Sequence, residues 1–169
     1  IAAEGLAICK INGNKAVVVE VNSETDFVAK NEEFKNLVNI IADEIINSDV
    51  KTVEEALKLT HEGKTIEELI IEKTSTIGEK LSFRRFEVVN KDDNCVFGTY
   101  SHMGGKIVAL TVLTKDEELA KDIAMQVAAM RPLYLNREDV PTDVLEKERT
   151  VLTEQAENEG LDSSKIPMI

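Results

Sequence analysis

An acid beside an aromatic ring, Asp26-Phe27, lies inside the run Thr25-Asp26-Phe27-Val28-Ala29-Lys30-Asn31. The ring offers a large apolar contact area and the carboxylate a charged acceptor, a pairing suited to docking on a protein partner. The other chemistry-bearing residues do not assemble so readily. His61 and His102 are far apart in the chain and have no Cys-x-x-Cys or His-x-x-x-His partner, so no metal site is expected. Gly104-Gly105-Lys106 is followed by Ile107, and Tyr100 stands where a phosphate loop needs its first glycine, which makes the segment a hairpin turn. There is no Gly-x-Ser-x-Gly elbow, and the 32 acidic residues are too evenly spread for one pair to stand out as acid and base. The expectation is a chain that is not an enzyme, with no catalytic residue, no cofactor and no metal. A hydrolase using Glu20 and Asp26 is the competing reading, and it requires the two carboxylates to converge in a concave pocket.

The elements around Asp26-Phe27 follow from periodicity. Gly5–Ile11 and 15–22 alternate as strands, and Asn12-Gly13-Asn14 between them is a tight-turn signal, giving a hairpin. Phe34, Leu37, Val38, Ile41 and Ile45 then recur at helical spacing over 32–46, with Asn31 as N-cap and Glu32-Glu33 in the first turn. Helices are expected over 53–59 and 66–77, joined by His61-Glu62-Gly63-Lys64, and a strand over 81–90. After the polar Lys91-Asp92-Asp93-Asn94 the pattern begins again. Strands 96–100 and 107–114 flank Met103-Gly104-Gly105, and Leu119, Ile123, Val127 and Met130 mark a helix. Arg131-Pro132-Leu133-Tyr134-Leu135 reads as a helix stop followed by an extended apolar link that packs, and 141–160 as a charged helix ending at Gly160.

The expected fold is α+β: two subdomains, 1–91 and 92–169, each a small antiparallel sheet (a hairpin plus a further strand) packed with helices. An internal duplication would account for the likeness. Aligning the turns pairs Val17 with Val108, Val19 with Leu110 and Val21 with Val112, an offset of 91. The helices align at 86, pairing Leu37 with Ile123, Val38 with Ala124, Ile41 with Val127 and Ala42 with Ala128. The first copy therefore carries five extra residues, in the junction that contains Thr25–Asn31.

From the residues alone two readings of that junction stand. An aromatic just before a helix can fold onto its own core as a staple, with the acid as a cap. Alternatively the ring is exposed for a partner. His102, beside Tyr100 at the second turn, reads as a surface turn residue. Composition constrains the partner: 169 residues with 43% hydrophobic side chains suit a globular protein, and a net charge of -12 repels phosphate backbones and anionic lipid. A protein partner is expected, with no direct nucleic acid and no membrane. No stretch reaches the roughly 18 apolar residues a spanning helix needs. Cys9 and Cys95 are expected as buried, reduced thiols of a cytoplasmic protein. The start at Ile1 and the final Ile166-Pro167-Met168-Ile169 suggest a parent chain that continues in both directions.

The residues Val19-Glu20-Val21-Asn22-Ser23-Glu24-Thr25-Asp26-Phe27-Val28-Ala29-Lys30-Asn31 resemble the signature of the bacterial and organellar elongation factor Ts family. Residues 98–107, Gly-Thr-Tyr-Ser-His-Met-Gly-Gly-Lys-Ile, and 123–135, Ile-Ala-Met-Gln-Val-Ala-Ala-Met-Arg-Pro-Leu-Tyr-Leu, resemble further family segments in the expected order. The resemblance covers nearly the whole chain and is weakest across 48–80. It implies the family's two-subdomain core, without the N-terminal ubiquitin-associated-like domain and without most of the coiled-coil and C-terminal part. It also implies nucleotide exchange on the translational GTPase elongation factor Tu, bound in its GDP and nucleotide-free forms. Carried over by position, Phe27 would be an apolar wedge near the GTPase's magnesium and phosphate site and Asp26 its polar companion. Thr25, Val28, Ala29, Lys30 and Asn31 would complete the partner-binding segment, with His102 as a further contact. The second subdomain would supply binding energy and is a candidate face for a homodimer. The alternative is a binding module that docks a GTPase without accelerating exchange.

Overall fold

Val17, Val19 and Val21 stand two residues apart, and in a strand that spacing sends all three to one face. In the computed structural model, which describes residues 4–160, all three are fully buried in the main core. They belong to β2 (Lys15–Ser23), which pairs antiparallel with β1 (Glu4–Asn12) across the two-residue turn Gly13-Asn14. Gly13 has φ +58° at the first turn position, the conformation that two-residue hairpins favour and that glycine adopts without strain.

The helix α2 (Glu32–Ile46) lies against both strands and buries Phe34, Leu37, Val38, Ile41, Ala42 and Ile45. Its start is fixed as the spacing predicts. Asn31 Oδ1 accepts from the amides of Glu33 (2.7 Å) and Phe34 (3.3 Å), satisfying two of the donors a helix leaves free.

The chain then makes a shorter helix than expected, α3 (Val53–Ala56), before a miniature hairpin of β3 (Thr60–His61) and β4 (Lys64–Thr65). The His61-Glu62-Gly63-Lys64 link is thus itself strand-paired, turning at Glu62 and Gly63, both with positive φ. The reason lies in where the backbone bonds go: Ile66 N donates to Leu59 O (2.9 Å) and Glu67 N to Leu57 O (3.1 Å), so Leu57 and Leu59 spend their carbonyls outside a helix. Helix α4 (Ile66–Ile77) opens with a Thr65–Glu68 capping box and closes at Gly78. β5 (Ser82–Asn90) pairs with the other edge of β2, giving the order β1-β2-β5.

The second hairpin is β6 (Val96–His102) with β7 (Ile107–Leu113), covered by α5 (Glu117–Met130). The α+β class therefore holds. The first sheet carries the further strand β5; the second, among the described residues, is the hairpin alone. Contacts divide the chain into two compact units between Met130 and Arg131, and all three sheets lie in the first. The second unit contains a 3-10 turn (Arg137–Asp139) and α6 (Thr142–Asn158). Leu133 and Leu135 are 85% and 91% exposed, contrary to the packed link expected there. The closing Ile166-Pro167-Met168-Ile169 lies outside the described residues.

The helix expected at Leu119, Ile123, Val127 and Met130 forms as α5, and its buried line is Ala120, Ala124 and Ala128, while Leu119, Ile123 and Met130 are exposed. The helix lies so close to the strands at Gly98 and Ala109 that only alanine fits between them. The strand pairing of the two halves also slips by one. The first turn has two residues and the second has four (103–106), so the closing pair Asn12–Lys15 corresponds to His102–Ile107. Ala109 and Thr111, not Val108 and Leu110, face α5 as Val17 and Val19 face α2. The five-residue extension stands: eight residues (24–31) separate β2 from α2, and three (114–116) separate β7 from α5. Cys9 and Cys95 are free but only half-buried, and burial pushes the Cys9 thiol up to about 11.

Candidate functional site

The extension is not a loose cap but one turn of helix, α1 (Asp26–Ala29). So short a helix has no independent stability, and its neighbours hold it. Val28 and Ala29 are buried, with Val28 part of the main core. Thr25 is its N-cap, accepting from Val28 N at 3.4 Å, and Asn31 N returns to Val28 O at 2.9 Å before capping α2. Thr25 is gripped on three further sides. The Glu79 carboxylate accepts from its backbone amide (3.0 Å) and from its hydroxyl (2.6 Å), and the fully buried Ser23 hydroxyl donates to its carbonyl (3.0 Å).

With Val28 and Ala29 directed inward, the preceding residue points out: Phe27 is 81% exposed. The staple reading, in which this ring covers its own core, is thereby excluded. Asp26 and Lys30, four residues apart, form an ion pair at 2.7 Å on the surface of the same turn. The Lys30 ammonium, hydrogen-bonded to the carboxylate, holds Asp26 below its usual range, with a smaller contribution from the charge of Lys106. Lys30 is raised in return, chiefly by Asp26, with Glu4 adding to it.

Those secondary partners show what else is nearby. Lys106 belongs to the second hairpin's turn and pairs with Glu4 of β1 at 3.2 Å. Beside it, Ala7 N donates to Gly105 O at 2.9 Å. The second turn is thus docked on residues 4–7 of β1, the strand against which α1 also packs. His102 and Met103 precede this docking point and are exposed; Met103 holds a positive φ of 50°. The His102 ring stacks on Tyr100, with centroids 6.1 Å apart, and its Nδ1 lies 3.4 Å from the Tyr100 hydroxyl. Sequence reasoning missed Met103 as a surface residue, although a large apolar side chain at a turn tip was the available signal. Glu79 and Lys106 left none, because their contacts join residues distant in sequence.

Gly105 makes the docking possible. A Cβ there would overlap Leu6 Cδ1 and lie 2.7 Å from Ala7 O, and the backbone has φ +100°. Gly105→Ala is therefore expected to lift the second turn off β1 and cost roughly 2 kcal/mol. Urea unfolding followed by circular dichroism checks this, with an unchanged midpoint the contrary result.

A cavity of about 250 Å³ is lined by Leu57, Glu67, Ile70, Ile71, Ser82 and Phe83, none of them in the Thr25–Asn31 segment. Among the described residues no group of three His, Cys, Asp or Glu could hold a metal ion, and no helix is long and apolar enough to cross a membrane. What the site can do is bind, through an aromatic ring held outward on a braced turn with charged groups on either side. The model of a protein family described as Elongation factor TS matches residues 24–169, which take in this turn, the second hairpin and the helices that follow. The chain belongs to the elongation factor Ts family and is a translation elongation factor of that kind.

Proposed function

We propose that this chain is a guanine-nucleotide exchange factor for elongation factor Tu, promoting GDP release by inserting Asp26-Phe27 near the GTPase's magnesium and phosphate site. The observation that carries the reading is the exposure of Phe27 on a turn whose next two residues are buried. Burying such a ring is worth about 2–3 kcal/mol, and the free chain leaves that energy unused on a helix too short to persist without its anchors. A partner with an apolar slot between elements recovers it.

The chain needs no catalytic residue for this work. A protein that binds the nucleotide-free GTPase more tightly than the GDP-bound form must, by linkage, weaken the hold on GDP by the same factor. Phe27 acts as the wedge that shifts the elements around magnesium and phosphate. Asp26 and the rest of Thr25–Asn31 form the partner-binding segment, and His102 on the second hairpin is a further contact. A net charge of -12 supports a protein partner over nucleic acid or anionic membrane. The proposed site of action is the cytoplasm, and sedimentation of the free chain decides whether it forms a homodimer through the second subdomain.

The test is direct. Elongation factor Tu loaded with fluorescent GDP is mixed with increasing chain and excess unlabelled GDP, and release is followed by stopped flow. Release should accelerate and saturate. Complex formation without faster release would replace exchange with simple docking.

A further inference from the structure

We infer that Glu79 is a positioning residue for this exchange: its carboxylate clamps Thr25 and so fixes the direction in which α1 presents Phe27. The inference rests on the wedge reading above and adds to it a residue 54 positions away in sequence.

Four observations support it. Both carboxylate oxygens are engaged by the same residue, Oε2 accepting from the Thr25 amide at 3.0 Å and Oε1 from its hydroxyl at 2.6 Å. Charge-assisted bonds of this length are about twice as strong as neutral ones. Thr25 is the N-cap of α1, so whatever orients Thr25 orients the single turn that follows. Val28 and Ala29 anchor the C-terminal half of that turn, and the clamp on Thr25 anchors its other end.

The placement of Glu79 gives the fourth. It follows Gly78, which ends α4, and α4 has no basic residue in its last turn. The dipole at a helix C-terminus favours cations there, so an acid gains nothing from α4 itself. It gains at Thr25, where it meets a free amide and hydroxyl. The carboxylate therefore ties the wedge turn to α4, which is packed on α2 and linked to it by Lys73–Glu33 at 3.1 Å.

The experiment measures GDP release from elongation factor Tu against concentration of the full chain for wild type, Glu79→Ala, Glu79→Gln, Thr25→Val and Phe27→Ala. Amide hydrogen exchange of residues 25–31 is measured on the same free proteins. Glu79→Ala should lower the saturating release rate about tenfold while changing the half-saturating concentration less than threefold, because most binding surface is untouched. Its amides at 25–31 should exchange about tenfold faster, with β2 and α2 unaltered. Glu79→Gln keeps part of the clamp and should fall between, whereas Thr25→Val, which also loses the cap bond from Val28 N, should slow release at least as much as Glu79→Gln.

Wild-type release by Glu79→Ala, with Phe27→Ala slowed, would overturn the positioning role and leave the wedge standing. Slowed release without faster amide exchange would overturn it too, since Glu79 would then be touching the partner itself. Should Glu79→Ala fail to fold, Thr25→Val decides: full release rates from it sink the inference. If Phe27→Ala matches wild type, the wedge reading falls and the positioning role with it, a result distinct from the first.

Discussion

Replacing Phe27 by alanine is expected to slow GDP release from elongation factor Tu about thirtyfold while leaving the circular dichroism spectrum and unfolding midpoint of the free chain unchanged. The two halves of this expectation have one cause. In the free chain the ring is 81% exposed, so its removal leaves no cavity and takes away no core contact. In the complex, a fully desolvated aromatic anchor is worth about 2 kcal/mol or more, which is the thirtyfold. Stopped-flow release at saturating chain is the measurement. A normal rate would sink the wedge role, and a lowered midpoint would show that the ring serves the fold. Asp26→Asn is the informative companion, since it keeps the shape of the turn but breaks the pair with Lys30. If Asp26 is only a polar companion, its effect must be smaller than that of Phe27.

The segment itself was legible as a sequence object, but its architecture was not. Helix α2 was readable to the residue because Asn31 and the 34/37/38/41/45 ladder are local signals that agree with one another. The extra length of the junction was readable by comparing halves, and the structure keeps it at five residues. That α1 forms a helical turn was not readable, because its stability comes from Val28 in the core and from Glu79, both long-range. The strand pairing failed for a different reason. It assumed turns of equal length, and with a side-chain period of two a small error in a turn exchanges the faces of the strand. In α5 the residues that mark the helical period are not the ones it buries, because hydrophobicity alone does not register how near two backbones come. The docking of the second turn on β1 joins residues about a hundred positions apart through a glycine, and no periodicity announces such a contact.

That closeness of backbones gives the largest expected effect on the fold, from a substitution that adds a single methyl group. Gly98 of β6 lies under Ala120 of α5, and a Cβ there would overlap the Ala120 carbonyl and stand 2.6 Å from Lys121 N. The obstacle is helix backbone, so no side chain can rotate aside, and Gly98→Ala must push α5 away from the hairpin. Thr111 Oγ1 donates to the same Ala120 carbonyl at 2.7 Å, a bond worth about 1 kcal/mol that the displacement breaks. The tight packing of Ala109 against Ala124 and Ala128 opens at the same time. A cost of about 3 kcal/mol is expected, at the upper end of the range for overpacking. Gly98 has no left-handed backbone angle, so the cost is steric and alanine is already enough to incur it. Urea unfolding followed by circular dichroism reads it, with Thr111→Val separating the hydrogen-bond share from the rest. If Gly98→Ala unfolds at the wild-type midpoint, α5 does not lie as close to β6 as the alanine stripe requires. If Thr111→Val costs as much as Gly98→Ala, the hydrogen bond and not the close approach holds α5 in place.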